Sequence, residues 1–198
     1  MRRRMATVQS PRLTDSLKRV AAALRDAGVP FILAGGMAVW ARGGPATDND
    51  IDLLVRRCDQ ERALEAVAAA GMRVERPPEG WLVKAWDGDV LIDLITDPVG
   101  LDVDDDLLAR AQRRSVEAMT MPVLSVDDVL LTRLLALNPH RVDYTSVLEC
   151  ARSLREQVDW EGLEERTSGS PFARTFFYLA RQLGIAPGPA GKERTDDR

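Results

Sequence analysis

The chain has 198 residues, of which 45% are hydrophobic and 29% are charged, and its formal net charge is −4. This length and composition predict a globular protein, with room for one domain and a small helical extension. The negative charge excludes a general electrostatic attraction to nucleic acid or anionic membranes. No apolar run approaches the roughly 20 residues that a membrane-spanning helix needs, and no apolar segment follows the basic N-terminus. We therefore expect a cytoplasmic protein with no membrane partner.

The chain begins with a predicted disordered leader, residues 1–10, followed by a helix. Apolar residues recur every three to four positions over residues 11–27, and Gly28 closes this pattern. The apolar run from Phe31 predicts a buried strand. This strand breaks at Gly35-Gly36, after which a short helical pattern follows.

Two carboxylates mark the second predicted strand, in the sequence DNDIDLLV. Asp50 and Asp52 are two apart, and residues two apart in a strand point to the same face. A third acid, Asp93, interrupts the apolar run VLIDLI and would be costly to bury without a partner. If the two strands are neighbours, the three carboxylates repel one another unless Mg²⁺ or Mn²⁺ lies between them. Three such carboxylates can hold two metal ions, an arrangement that in-line phosphoryl or nucleotidyl transfer uses.

Simpler explanations exist for some of these residues. The Gly35-Gly36 pair is equally consistent with an ordinary tight turn. The sequence DNDID suggests loop chemistry or a calcium site, but an EF-hand is excluded because Leu53 stands where that loop requires Gly. A single Asp within VLIDLI has no comparable structural explanation, so the metal site is the favoured interpretation.

The rest of the N-terminal half alternates helices with strands. A favoured turn at Asp87-Gly88 predicts a hairpin whose returning strand carries Asp93. The acidic residues 102–106 are interpreted as the first turn of a helix instead of a second metal site. The predicted helices are residues 59–70 and 104–111, and the predicted strands are residues 72–75, 81–86, 89–95, 113–117 and 120–124.

From Ser125 the pattern is helical. Ser125 with Asp128 resembles a capping box, and Asp159 and Ser170 are predicted N-caps. Residues from 186 to 198 have little apolar content to bury and are expected to form a disordered tail. The predicted helices are residues 126–137, 142–156, 159–167 and 171–183.

The order of these features resembles the nucleotidyltransferase superfamily that includes the catalytic domain of DNA polymerase β. A Gly-Gly pair, a short helix, an Asp-x-Asp strand and a later apolar-Asp-apolar strand carry the resemblance. Residues 31–185 are most similar to the AbiEii/MenT-like small bacterial nucleotidyltransferases, many of which are toxins of toxin–antitoxin pairs. The resemblance implies an α/β (α+β) fold, in which a small mixed, twisted sheet is flanked by helices and followed by a helical C-terminal region. Residues 11–124 would form the catalytic domain and residues 125–185 the helical region.

The resemblance also implies an activity, which is metal-dependent transfer of a nucleoside monophosphate from an NTP to a hydroxyl, with release of pyrophosphate. Asp50, Asp52 and Asp93 would be the catalytic residues and the ligands of Mg²⁺ or Mn²⁺. The backbone at Gly35 and Gly36 would approach the triphosphate.

Three further side chains are predicted phosphate partners, namely Arg42, Thr47 and Arg133. Arg133 stands where the family usually has a Lys, and its planar fork is not equivalent to an ammonium. In the next family motif Asp143 matches the first acid, but Ser146 stands where a second acid is expected. These departures leave a catalytically weak nucleotide-binding or regulatory module as one alternative.

The acceptor is predicted to be RNA, specifically the 3′ end of tRNA. Arginines of the C-terminal half could contact a few phosphates without making the protein basic overall. A toxin of this kind would also have a cognate antitoxin protein as a partner. A small-molecule acceptor, as in antibiotic-modifying adenylyltransferases, is the alternative that the acidic N-terminal half keeps open. The arginines concerned are Arg110, Arg113, Arg114, Arg152 and Arg155.

Overall fold

We describe residues 9–47 and 50–188 in a computed structural model of the chain. Most of the predicted leader and tail therefore lie outside the described residues, as do Asp48 and Asn49. Within the described ranges, no helix is long and apolar enough to cross a bilayer.

The strands form one mixed sheet of seven strands, in the order β3-β4-β5-β2-β1-β7-β6. Strand β2 runs parallel to β5, and β1 runs parallel to β7, while the other neighbouring pairs are antiparallel. The strands are β1 (Phe31–Leu33), β2 (Ile51–Val55), β3 (Arg73–Glu75), β4 (Leu82–Asp87), β5 (Val90–Ile95), β6 (Gln112–Val116) and β7 (Met119–Val123).

Helices flank this sheet and make up the C-terminal part of the described chain. They are α1 (Pro11–Asp26), α2 (Gly35–Ala41), α3 (Gln60–Ala69), α4 (Asp105–Arg110), α5 (Val126–Leu135), α6 (Thr145–Leu154), α7 (Trp160–Arg166) and α8 (Pro171–Gln182), with short 3₁₀ turns at Arg57–Asp59 and Arg155–Gln157. The predicted fold class, a mixed sheet flanked by helices and followed by a helical region, is confirmed.

The core lies on both faces of the sheet. Ile51 and Leu53 of β2 are fully buried, and α1 and α3 pack against each other and against β4 and β5. Asp52 and Leu54 point to the opposite face because successive side chains of a strand alternate. On that side α2 packs on β2, and α5 packs on α2. The alternation therefore separates an apolar face from a face that carries carboxylates.

Predicted helix caps are confirmed at three places. Ser125 accepts a hydrogen bond from the Asp128 N–H, Asp159 from the Gly162 N–H, and Ser170 from the Ala173 N–H. The acidic cluster before α4 likewise begins a helix, because the Asp104 side chain accepts from the Leu107 N–H.

Two local predictions are wrong by a few residues. The β4–β5 turn is Gly88-Asp89, one residue later than predicted, because Asp87 pairs with Val90 and Gly88 has φ +64°. Helix α6 begins at Thr145 instead of residue 142 because the Asp143 carboxylate accepts the Thr145 N–H at 2.8 Å and starts the helix there.

The predicted strands 113–117 and 120–124 correspond to β6 and β7, which form an antiparallel hairpin at one edge of the sheet. Its two-residue turn, Glu117-Ala118, has positive φ at both positions, +48° and +65°. This conformation suits Gly or Asn better than the residues present. The hairpin joins the rest of the sheet through a single register pair, Leu33 with Val123.

Asp128 ties three helices together. Its carboxylate is 1% exposed and accepts from Arg110 of α4, from Ser125 and from Arg166 of α7 at 2.7 Å. These bonds compensate for burying the charge and hold the pKa of Asp128 below its ordinary value, although burial alone would raise it.

Candidate active site

Three carboxylates meet where β2 and β5 lie side by side. Asp52 is in register with Asp93 across the parallel pair, and Asp50 immediately precedes β2. One oxygen of each carboxylate lies within 4.8 Å of an oxygen of the other two. The structure thus brings together the three acids predicted from sequence, which we call the carboxylate triad.

The triad is electrostatically unfavourable without a cation. The pKa of Asp52 is raised to about 7. Burial of the carboxylate is the main cause, and the negative charges of Asp50 and Asp93 act in the same direction. Burial also raises the pKa of Asp93, while a hydrogen bond from Lys84 acts in the opposite direction. Partly desolvated carboxylates that repel one another favour a bound cation.

The donor set fits a hard divalent cation. Carboxylate oxygens are the ligands that Mg²⁺ and Mn²⁺ prefer, and one or two carboxylates with substrate phosphates and water often complete a Mg²⁺ site. Asp50, Asp52 and Asp93 could therefore hold such an ion, and the spacing of their oxygens leaves each within reach of a common position.

The glycine pair allows α2 to begin against the triad. Gly35 has φ +55°, and a Cβ at this position would lie 1.7 Å from a carboxylate oxygen of Asp52. A Cβ on Gly36 would lie 2.8 Å from the Thr47 hydroxyl oxygen. Two kinds of constraint, backbone conformation and space, therefore require Gly at position 35.

Thr47 is held from the N-terminal side of the chain by Gln9. The Thr47 N–H donates to the Gln9 side-chain oxygen at 3.1 Å, and the Gln9 amide donates back to the Thr47 carbonyl. Gln9 is only 4% exposed, although the sequence placed it in the leader. Nothing in the local sequence indicates this contact, because it depends on where α1 places the residue that precedes it.

The expectation that Arg42 contacts phosphate does not agree with the structure. Its guanidinium is buried and donates to the carbonyls of Leu124 and Val123, at 2.6 and 3.1 Å, and to the Gln112 side chain at 3.1 Å. Each of its three nitrogens thus donates a hydrogen bond within the protein, and Arg42 links the end of α2 to the β6–β7 hairpin. The prediction was wrong because a flexible-looking Arg-Gly-Gly loop gave no sign of burial.

A cavity of about 830 Å³ opens beside the triad. The predicted residues Gly35, Gly36, Thr47, Asp50, Asp52 and Arg133 line it. Its remaining wall contains exposed apolar side chains, including Trp81 and Val99, and the acids Asp97 and Glu149.

Lys84 is a charged residue of the site that the sequence argument missed. It is in register with Asp93 on the antiparallel strand β4, and its Nζ lies 3.2 Å from Asp93 Oδ1. The signal was available in principle, because the turn fixes which residue faces Asp93. The turn as predicted, one residue too early, would place a different residue opposite Asp93.

Residues 1–185 match the model of a family described as uncharacterised nucleotidyltransferase. The chain belongs to this family. It is therefore an enzyme that transfers a nucleoside monophosphate from an NTP. No curated protein matches the chain.

Solved structures share the fold of this nucleotidyltransferase. ANT(2″)-Ia in complex with adenylyl-2″-tobramycin superimposes with a TM-score of 0.61 at 17% identity, over 82% of this chain and 98% of that chain. The lincomycin-bound lincosamide antibiotic adenylyltransferase LnuA gives a TM-score of 0.53 at 13% identity, over 73% of this chain and 97% of that chain. At such low identities the similarity shows the fold alone.

Arg133 of the nucleotidyltransferase lies between the triad and α6. Its Nη1 donates to the Ser146 carbonyl at 3.1 Å, and its positive charge lowers the pKa of Asp52, against the larger effect of burial. Ser146, which stands where a second acid was expected, also lines the cavity.

Glu149 supplies an acid to the cavity three residues after Ser146, about one helical turn along α6. The sequence argument missed it. The signal that could have found it is helical spacing, since residues three apart share one face of a helix.

Proposed function

We propose that Asp50, Asp52 and Asp93 hold Mg²⁺ or Mn²⁺ while this nucleotidyltransferase moves a nucleoside monophosphate from an NTP to an acceptor hydroxyl. The acceptor oxygen forms a bond to the α-phosphorus, the bond from that phosphorus to the bridging oxygen breaks, and pyrophosphate leaves with that oxygen. The hydroxyl proton passes to a base. The convergence of the three carboxylates beside a glycine-lined cavity is the observation that supports this proposal.

Each residue has a proposed task. Asp50 and Asp52 bind metal, and Asp93 binds metal and helps to activate the acceptor hydroxyl. When bound, the divalent ion would neutralise charge on the reacting phosphate and orient it. The chain's own contribution is to fix the carboxylates on two paired strands. Gly35 and Gly36 let the backbone approach the triphosphate, and Thr47 and Arg133 are proposed phosphate partners.

The cavity wall favours a small acceptor that is partly apolar and positively charged. Trp81 and Val99 are 38% and 51% exposed and both line the cavity, so they offer apolar surface to a ligand. Glu149 adds negative charge to the same wall, and Asp97, which lies 3.7 Å from Arg57, adds a further carboxylate. The acids of this wall favour a cationic hydroxyl compound as the acceptor.

Several arginines that suggested an RNA surface are engaged within the protein. Arg110 pairs with Asp128, and Arg155 pairs with Glu156 at 2.9 Å. Arg114 donates to Gln112 at 3.1 Å. We therefore keep the tRNA 3′ end as the alternative acceptor. The toxin role and the antitoxin partner that the AbiEii/MenT-like resemblance implies belong to this alternative.

The test is a labelling experiment with each α-labelled NTP, in Mg²⁺, in Mn²⁺ and in EDTA. Total tRNA and a panel of hydroxyl compounds, among them the antibiotics tobramycin and lincomycin, serve as acceptors. We expect divalent-dependent label on a small molecule and none on tRNA. Asp50→Asn should abolish transfer, and Asp102→Asn, which removes an equally charged exposed side chain, should not.

Two results would contradict parts of the proposal. Wild-type transfer rates for Asp50→Asn, or full activity in EDTA, would exclude the metal mechanism. Label on tRNA alone, reduced by raised salt, would replace the small-molecule acceptor with RNA.

A further inference from the structure

Strand β6 is the last strand at one end of the sheet, so one side of its backbone faces no other described strand. Its two-residue turn makes Val116 and Met119 a hydrogen-bonded pair, and in an antiparallel ladder such pairs alternate with pairs that exchange no hydrogen bond. Arg113 and Ser115 belong to the second kind, so their N–H and C=O groups point away from β7. Pro122 lies opposite Arg113, which agrees with this assignment because proline has no N–H to donate to β6.

The same edge carries positive charge without a carboxylate partner in the part of the chain that the structure describes. Arg113 donates to the Thr120 carbonyl at 3.3 Å. Arg114 donates to the side-chain oxygen of Gln112 at 3.1 Å, and the same oxygen also accepts from the buried Arg42 at 3.1 Å. Two guanidinium groups therefore share one neutral acceptor.

The side chain of Arg114 is poorly satisfied in this arrangement. Its Nε is buried and has no hydrogen-bond partner among the described residues, which is unfavourable for a charged donor. Burial lowers the pKa of Arg42, and the charge of Arg114 lowers it further. Asp127 and Asp128 act in the opposite direction on Arg42, but Asp128 is already paired with two other arginines. A carboxylate brought to this edge from outside would give Arg114 a charged partner that these acids do not supply.

The opposite edge of the sheet differs in length and in charge. Strand β3 has three residues, against five in β6. Its arginine, Arg73, lies 3.9 Å from Glu75 and 3.8 Å from the centroid of the Trp86 ring. The β3 edge is therefore short and its charges are balanced, so the two edges do not offer equivalent surfaces.

An extended acidic polypeptide fits the β6 edge better than a nucleic acid or a second copy of this chain. The outward groups of β6 include both N–H donors and C=O acceptors, which a peptide backbone matches, whereas phosphates offer acceptors only. A second copy of β6, aligned antiparallel over its full length, would set Arg114 against its own counterpart, and like charges directly opposite each other are destabilising. Glu117, at the hairpin turn, lies 4.0 Å from Lys18, so its charge is balanced by α1.

We propose that the β6 edge is a docking site for an extended acidic segment of a partner protein. The segment adds one strand to the seven-stranded sheet, pairs with the backbone of Arg113 and Ser115, and places glutamate or aspartate side chains against Arg113 and Arg114. Backbone pairing supplies affinity, and the two arginines select acidic over neutral segments. These residues do not line the cavity beside the triad, so the inference does not depend on the function proposed above.

The test titrates fluorescein-labelled peptides into the full chain and follows binding by fluorescence anisotropy. In the acidic set, glutamate alternates with valine, threonine or isoleucine. One control set has glutamine in place of glutamate, and a second carries N-methyl groups on alternate backbone amides, which cannot donate to a neighbouring strand. A single-stranded RNA oligonucleotide is the nucleic-acid probe, and sedimentation velocity reports self-association.

Three variants separate the backbone contribution from the charge contribution. Arg114→Gln removes one charge from the edge, and Arg152→Gln is the matched control because Arg152 is an exposed arginine of α6. Ser115→Pro removes an outward N–H, and proline is tolerated at such positions of edge strands. Urea unfolding checks that each variant is folded, and the N-methylated peptides test the same backbone pairing without altering the protein. Hydrogen exchange at the Arg113 and Ser115 amides locates the bound peptide.

We expect the acidic peptides to bind wild type and Arg152→Gln equally and to protect the Arg113 and Ser115 amides from exchange. Arg114→Gln should weaken binding by about tenfold, because a charge-assisted hydrogen bond is lost. The glutamine peptides should bind wild type at least about tenfold more weakly than the acidic ones do. Ser115→Pro should not bind the acidic peptides, and wild type should not bind the N-methylated ones.

Three outcomes overturn the proposal. If wild type and Arg114→Gln bind the acidic peptides equally, or if no acidic peptide binds up to its solubility limit, the edge does not select acidic segments. If the RNA oligonucleotide displaces the peptides and protects the same amides, the edge takes nucleic acid. If wild type self-associates and Ser115→Pro does not, a second copy of the chain covers the edge.

Discussion

Asp52→Asn should make the metal-free protein more stable at neutral pH. Burial, together with Asp50 and Asp93, raises the pKa of Asp52 from its ordinary value of 3.8 to about 7 in the folded protein. Between these two values the folded protein keeps a proton that the unfolded chain has lost. Stability therefore falls as pH rises through this window.

The magnitude follows from the difference between the two pKa values. About three pH units at 1.36 kcal/mol each correspond to a loss of up to roughly 4 kcal/mol between pH 4 and pH 7. Asp93, whose pKa is also raised by burial, contributes in the same direction. Because Asn cannot ionise, Asp52→Asn should retain most of this stability at pH 8.

The assay is urea unfolding in EDTA at a series of pH values from 5 to 8. The free energy of unfolding of wild type should fall by a few kcal/mol across the series, that of Asp52→Asn should change much less, and that of Asp102→Asn should follow wild type. Added Mg²⁺ should restore wild type at pH 8. Parallel profiles for wild type and Asp52→Asn would refute the reasoning.

Further substitutions test other parts of the structure. Arg133→Ala should weaken NTP binding by about 1.5–3 kcal/mol in calorimetry, whereas Arg133→Lys and the exposed control Arg152→Ala should not. Gly35→Ala should abolish transfer and lower the free energy of unfolding by roughly 2–4 kcal/mol, since its Cβ would overlap a triad carboxylate. Asp128→Ala should cost roughly 2–4 kcal/mol in urea unfolding because two arginines lose their buried partner. Ala118→Gly should raise stability by about 0.5–1 kcal/mol by relieving a positive φ, and an unchanged or lower melting temperature would contradict this.

The carboxylate triad could be predicted from the sequence because its signals are local. Alternation places Asp50 and Asp52 on one face, and an apolar run with a single acid indicates that Asp93 has a partner. The same holds for the helix caps at Asp159 and Ser170, where a cap residue and a helix start are neighbours in the chain.

Contacts between distant parts of the chain could not be predicted in this way. Arg42 bonds to Leu124, which is 82 residues away, and Gln9 bonds to Thr47, which is 38 residues away. An Arg beside two glycines has the same local pattern whether it faces a ligand or a buried carbonyl. The contact of Lys84 with Asp93 is intermediate between local and distant contacts. It depends on the position of the β4–β5 turn, which is a local feature, but the predicted turn was one residue too early.

The attachment of the β6–β7 hairpin means that backbone hydrogen bonding supports some strands of the sheet more than others. Strand β5 is paired along its length with β4 on one side and with β2 on the other, so the backbone that carries Asp93 and Asp52 is supported from several directions. The hairpin, by contrast, pairs with the rest of the sheet through one register pair, and the buried guanidinium of Arg42 and the buried side chains of Val116, Met121 and Val123 supply other contacts. Backbone pairing therefore supports the hairpin less than it supports the two strands that carry Asp52 and Asp93. The bonds to phosphorus would therefore be made and broken beside the part of the sheet that has the most extensive backbone pairing.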